Sequence, residues 1–107
     1  TLLDPQSGVA RQELSPAYQG RGVEVLWYTI PAGGRTRAFP PLRPGTVAQL
    51  VLIQGTLACT IGAHGPTLGE GDALYFPADQ PYANANPGPA PCHYLLILDA
   101  SQAGARA

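Results

Sequence analysis

The sequence predicts an all-β fold: a small single-domain barrel or jelly roll of antiparallel strands. Short runs of β-branched, aliphatic and aromatic residues recur along the chain, separated by turns that carry Gly and Pro. The 13 glycines and 12 prolines are spread between apolar runs and form no repeat, so they punctuate strands and do not mark disorder. No segment carries helical periodicity of useful length. Many short strands closed by such turns indicate a sandwich or barrel.

The first residues, Thr1 to Gln19, are polar and contain Pro, and within them Val9 to Leu14 can form an edge strand. From Gly22 the run GVEVLWYTIP alternates Val23, Val25, Trp27 and Thr29 on one face with Glu24, Leu26, Tyr28 and Ile30 on the other. Both faces are mostly apolar, which fits a strand covered on both sides. Pro31 to Gly34 turns the chain, and Thr46 to Gln54 is a second strong strand that Gly55 ends. Leu57 to Ile61 follows and is closed by Gly62 to Gly65; Thr67 and Leu68 are a short strand before the bend at Gly69 to Asp72. Ala73 to Phe76 is stopped by Pro77, and the corner at Asp79 to Pro81 leads into Tyr82 to Ala85. Asn86 to Pro89 turns again, and Cys92 to Leu98 is the last strand. The boundaries read as a flanking segment over 1–10, a barrel over 11–99 and a flexible tail over 100–107.

A chain of 107 residues is one domain, long enough to bury a core. It is 45% hydrophobic and only 12% charged; its six basic residues are all Arg, and the net charge of -1 offers no basic face to nucleic acid. DNA contact would need a separate domain outside this chain. The longest apolar run, Tyr94 to Leu98, is far too short to cross a membrane. There is no charged start with an apolar core and cleavage site either, so the expected location is cytoplasmic. The opening at Thr1 reads as a piece of a longer chain or a processed product. Cys59 and Cys92 are open to pairing, but they read first as two buried free thiols.

Two stretches carry a family signature: PAGGRTRAFPPLRPGTVAQLVLIQG from Pro31 and LGEGDALYFPADQPYANANPG from Leu68. Their glycine, proline and asparagine spacing resembles the cupin superfamily, most nearly the C-terminal sensor-like cupin domains of bacterial helix-turn-helix regulators. The resemblance runs from about Arg11 to Leu98. It implies a barrel, a homodimer, and a metal site built from two motifs. With the strand-ending glycine of the first motif at Gly55, its glutamate position falls on Ala48 and its histidine region on Phe39 to Leu42, with Leu42 the best match. The second motif is matched by Gly71-Asp72 and by Phe76-Pro77-Ala78-Asp79; where it expects Pro-His and then Asn, the chain has Pro81-Tyr82 and Asn86. The scaffold residues match, and every ligand position departs.

A catalytic metal needs about three imidazole or carboxylate ligands converging on it. Leu42 and Ala48 offer no donor, and the phenol of Tyr82 is a poor ligand at neutral pH. His64 lies in a Gly-flanked turn, and His93 and Cys92 are strand neighbours that point to opposite faces, so no cooperative site is expected from them. No metal and no other cofactor is therefore expected. Ser7, Ser15 and Ser101 sit in the flanking regions without a His–acid pairing, and the runs PAGG and GEGD lack phosphate-loop spacing.

What remains is a pocket. Under the cupin placement Phe39, Leu42, Ala48, Leu50 and Tyr82, with Trp27 or Tyr75, surround the interior, and the Tyr82 hydroxyl is its polar contact. Arg37 and Arg43 fall near the mouth, where they are placed to meet an anionic group. The alternative is that the same side chains fill a solid barrel. The expected function is a metal-independent domain that senses a small-molecule effector and dimerises within a transcriptional regulator. The doubly apolar strands at Val23 to Ile30 and Ala48 to Ile53 allow a homodimer. The competing readings are a small cupin metalloenzyme, a dioxygenase or isomerase with atypical ligands, and a structural cupin without ligand.

Overall fold

The computed structural model describes residues 2–14 and 22–103. They form β1 (Leu2–Leu3), β2 (Ala10–Glu13), β3 (Val23–Ile30), β4 (Val47–Gln54), β5 (Leu57–Ile61), β6 (Thr67–Leu68), β7 (Ala73–Pro77), β8 (Tyr82–Ala85) and β9 (Cys92–Asp99). A six-stranded sheet runs β1-β2-β3-β9-β4-β7, and a three-stranded sheet runs β6-β5-β8. Every pairing is antiparallel. The smaller sheet is extended by residues 33–39, which run along β8: Thr36 N–H donates to Asn84 O at 2.8 Å and Phe39 N–H to Tyr82 O at 2.7 Å. The result is the expected all-β, jelly-roll arrangement.

Alternation decides the layers. In β3, Leu26, Tyr28 and Ile30 are buried while Val25, Trp27 and Thr29 are half-buried on the opposite face. β4 buries Ala48, Leu50 and Leu52, and β9 buries Cys92, Tyr94 and Leu96. These side chains pack with Leu57, Cys59, Leu68 and Tyr82 from the smaller sheet into one core. The turn after β4 needs a residue without a Cβ. Gly55 has φ 95°, and a Cβ there would lie 2.8 Å from the Cys92 Cβ.

The segment expected to flank the barrel enters its larger sheet. Leu2 pairs with Arg11 and Leu3 with Ala10, and β2 then pairs with β3, Arg11 opposite Tyr28. The sheet thus begins ahead of the boundary read at residue 11. The strand expected over Val9 to Leu14 is present as β2, and β1 is an additional strand of two exposed residues held by its pairing with β2. Of the tail, residues 100–103 are described: Ala100 N–H donates to Gly22 O, and Ala103 N–H to Ala100 O at 2.9 Å. Residues 104–107 lie outside the described residues, as does Ser15.

Candidate functional site

An open cavity of about 530 Å³ lies beside β1 and β2. Its roof is the β1–β2 hairpin, its far wall is residues 36–40, and Tyr28 reaches it from β3. The hairpin turn is internally tied. The Asp4 carboxylate accepts from Ser7 Oγ–H at 2.8 Å and from Gln6 N–H at 3.1 Å, and Gly8 N–H donates to Asp4 O at 2.8 Å. The Ser7 and Gln6 bonds hold the Asp4 carboxyl below the usual carboxylate range, and the nearby Arg37 adds attraction.

The far wall is fixed by a buried hydroxyl. Thr36 Oγ1 donates to Arg37 O at 2.9 Å and accepts from Asn84 N–H at 3.1 Å. Asn84 Nδ2 in turn donates to the Tyr94 hydroxyl at 3.1 Å. Tyr28 stacks on Tyr94 with ring centres 5.1 Å apart and nearly parallel, and it meets Phe39 edge-on at 6.3 Å. Phe39 continues to Tyr82 at 4.9 Å, and Tyr82 to Phe76 at 5.4 Å. Burial pushes the Tyr28 phenol up, and a hydrogen bond with the Arg11 side chain opposes that rise. The hydroxyl stays a neutral donor at physiological pH.

Of the residues named from sequence, Arg37 and Phe39 line this cavity. The rest lie elsewhere. Ala48, Leu50 and Tyr82 are in the packed core, with Leu42 half-buried against it. Trp27 lies on the outward face of β3, stacked on His93 at 5.6 Å. Tyr75 is 68% exposed, and Arg43 does not border the cavity. Ala48, Leu50 and Tyr82 are shut off from solvent. Sequence reasoning missed Arg11, Tyr28, Thr36 and the roof. The signal for Tyr28 was present: it alternates with Trp27, and an inward aromatic was assigned to the wrong side of a strand apolar on both. Arg11 becomes legible only once β2 is registered on β3.

The positions that the family resemblance assigns to a metal do not fit one. Leu42 and Ala48 have no donor atoms, and burial pushes the Tyr82 phenol up to about 12, so it stays protonated. His64 is exposed in its turn. His93 Nδ1 is 2.9 Å from Thr29 Oγ1 on the outer face, while Cys92 is buried on the inner one. Among the described residues no three His, Cys, Asp or Glu side chains converge. Cys59 and Cys92 are both free and buried, and burial pushes the Cys59 thiol up to about 11.

The sequence profile of the Cupin domain family matches residues 26–98. Among solved structures, the chain is similar to the Cupin_2 domain of an XRE family transcriptional regulator from Enterobacter cloacae, with TM-score 0.79 and 21% identity, covering 85% of this chain and 95% of that one. An HTH_3 family transcriptional regulator from Vibrio cholerae is similar with TM-score 0.78 and 18% identity over 89% of this chain; the match spans 53% of that protein, about half its length. The Cnp3 cupin domain of Schizosaccharomyces pombe gives TM-score 0.77 and 15% identity over 92% of this chain and 68% of that one. A comparison with curated protein sequences gives no match. Among the described residues no helix is long and apolar enough to cross a membrane.

Proposed function

Because the chain belongs to the Cupin domain family, we propose that it is a metal-independent small-molecule-sensing and dimerisation domain of a cytoplasmic transcriptional regulator. DNA is bound by a separate domain of that regulator. The observation that carries this reading is the open cavity bounded by Arg11, Tyr28, Arg37 and Phe39, beside an interior where Ala48 and Tyr82, at positions the family resemblance assigns to metal ligands, are buried. The similar fold of cupin domains in XRE and HTH_3 regulators supports the regulatory setting. The outward face of the larger sheet, with Val25, Trp27, Val51, Leu95 and Ile97 half-buried, supplies an apolar surface for a second copy.

A second reading, a cupin that only holds an assembly together, is favoured by the burial of Ala48, Leu50 and Tyr82 in the hydrophobic core. A thermal-shift screen over neutral, cationic and anionic small molecules separates the two. A sensed ligand at a hundredfold excess over its Kd stabilises by about 2.7 kcal/mol, which raises Tm by roughly 10–20 °C in a domain of this size. A screen in which no compound of any charge stabilises the protein leaves the assembly reading. Metal retention is checked on the same preparation: less than about a tenth of an equivalent is expected after exposure to iron, manganese, zinc, nickel or copper and dialysis. A full equivalent overturns the metal-independent reading.

A further inference from the structure

Resting on that sensing reading, we propose that the mouth cavity takes a small monocarboxylate with an apolar body, its carboxylate seated between Arg11 and Arg37 and its body beneath the β1–β2 hairpin. Charge selects the class. The cavity is bordered by two cations, Arg11 and Arg37, and by one carboxylate, Asp4. Both Asp4 oxygens are already engaged by the hairpin turn, through Gln6 N–H and Ser7 Oγ–H. What remains is one net positive charge, on two exposed arginines whose guanidinium N–H groups can donate to a planar anion. A dianionic phosphate would overfill that charge and face Asp4. No helix is present among the described elements to offer it an N-terminus.

The walls select the rest of the molecule. Leu2 and Leu3 border the cavity while 63% and 65% exposed, so they offer apolar surface that a ligand body can cover. Val9, Phe39 and Pro40 complete an apolar lining. The cavity volume of about 530 Å³ suits a body of several carbons. Tyr28 also borders the cavity, and its hydroxyl, which accepts from the Arg11 side chain, keeps a proton to donate. Arg37 is held from behind, since the Thr36 hydroxyl bonds its carbonyl and Asn84 bonds that hydroxyl. The hairpin links β3 to the roof through one strand pair, so ligand contact with Leu2 and Leu3 would tighten the sheet edge.

The test is an NMR titration of the isotope-labelled full chain with matched probes: hexanoate against hexanamide, benzoate against benzamide, and phenyl phosphate. The carboxylates are expected to shift amide signals of Leu3, Arg11, Tyr28 and Phe39 together, and to bind at least about tenfold more tightly than the amides. Arg11→Gln and Arg37→Gln, each checked for an otherwise unchanged spectrum, should each weaken benzoate by about tenfold. Arg43→Gln, outside the cavity, should stay within about twofold. Equal binding of amide and carboxylate, tighter binding of phenyl phosphate than benzoate, or equal loss in Arg43→Gln overturns the class while leaving a sensing cavity. No shift with either carboxylate up to about 10 mM also overturns it. The sensing reading falls separately, if the thermal-shift screen is empty for compounds of every charge.

Discussion

Asn86 is the residue whose replacement tests the architecture most sharply. It is 1% exposed and ties the end of β3 to the turn beyond β8. Its Nδ2 donates to Ala90 O at 2.8 Å, Ile30 O at 3.0 Å and Pro31 O at 3.2 Å, and its Oδ1 accepts from Gly88 N–H at 2.9 Å. Asn86→Asp keeps the shape and removes both donors. Each buried acceptor left unpaired costs about 1–3 kcal/mol, and a carboxylate buried against carbonyl oxygens costs more. The expected loss at pH 7 is about 3 kcal/mol or greater, a fall in Tm of roughly 12–24 °C. Asn86→Ala loses the same bonds without the charge and should be less harmful at pH 7. Burial among carbonyls raises the folded-state pKa of the introduced carboxyl above its unfolded value of about 3.9. The folded state therefore takes up the proton first as pH falls, and the deficit of Asn86→Asp against wild type narrows toward acid. Urea denaturation at pH 7 and pH 5 reads both effects. A deficit under about 1 kcal/mol at pH 7, or one that does not change with pH, would refute the role assigned to the side-chain amide.

Alkali should unfold the protein cooperatively. Burial raises the folded-state values of Tyr82, to about 12, and Cys59, to about 11, and it raises those of Tyr28 and Tyr94 as well. Stability from these groups is complete below their unfolded values and is lost as pH rises through the folded ones. Phenolate absorbance from the buried tyrosines should thus appear together with loss of the far-ultraviolet β signal; ionisation with that signal intact at pH 12 would contradict it. At the turn after β4, Gly55→Ala places a Cβ 2.8 Å from the Cys92 Cβ at φ 95°, whereas Gly71→Ala, at φ 87°, meets nothing within 4 Å. Both incur the backbone cost of about 1–2 kcal/mol, and Gly55→Ala should lose clearly more in denaturant melts. Equal losses would show that the Cys92 contact gives way freely.

The strands of the barrel were legible because their ends are written in residues with one physical use. Gly55, the Gly69 to Asp72 bend and Pro77 bound runs whose alternation then fixes which side chains share a face. Which face turns inward was not legible for β3, since Trp27 and Tyr28 are equally apolar neighbours. Pairing settles it: Tyr28 lies opposite Tyr94, and both are buried. β2 lies inside the edge strand expected over Val9 to Leu14, whereas β1 escaped because two exposed residues write no hydrophobic pattern. The site divides the same way. Arg37 and Phe39, which sequence reading places by a motif, line the cavity, and Arg11 joins them only through strand pairing that no local spacing encodes.

Scaffold and ligand positions within one motif answer to different constraints, which explains how this chain keeps the first and departs at the second. Asn86 is required by three backbone carbonyls whether or not a metal is near. Gly55 is required by the Cys92 Cβ. The donor positions carry no such backbone duty, so their side chains are free to take up packing. Tyr82 does so by bridging Phe39 and Phe76, and Ala48 by lying at 0% exposure with Phe76 as its cross-strand partner. A glutamate at Ala48 would be a buried carboxylate with no cation or metal to meet it, at a cost that packing cannot offset. Polar side chains that need water or a ligand gather instead at the mouth, where Arg11, Arg37 and Asp4 border the open cavity. The recognition proposed there calls on the Thr36–Arg37 wall, the Tyr28 hydroxyl and the apolar side chains of Leu2 and Leu3, none of which requires a metal.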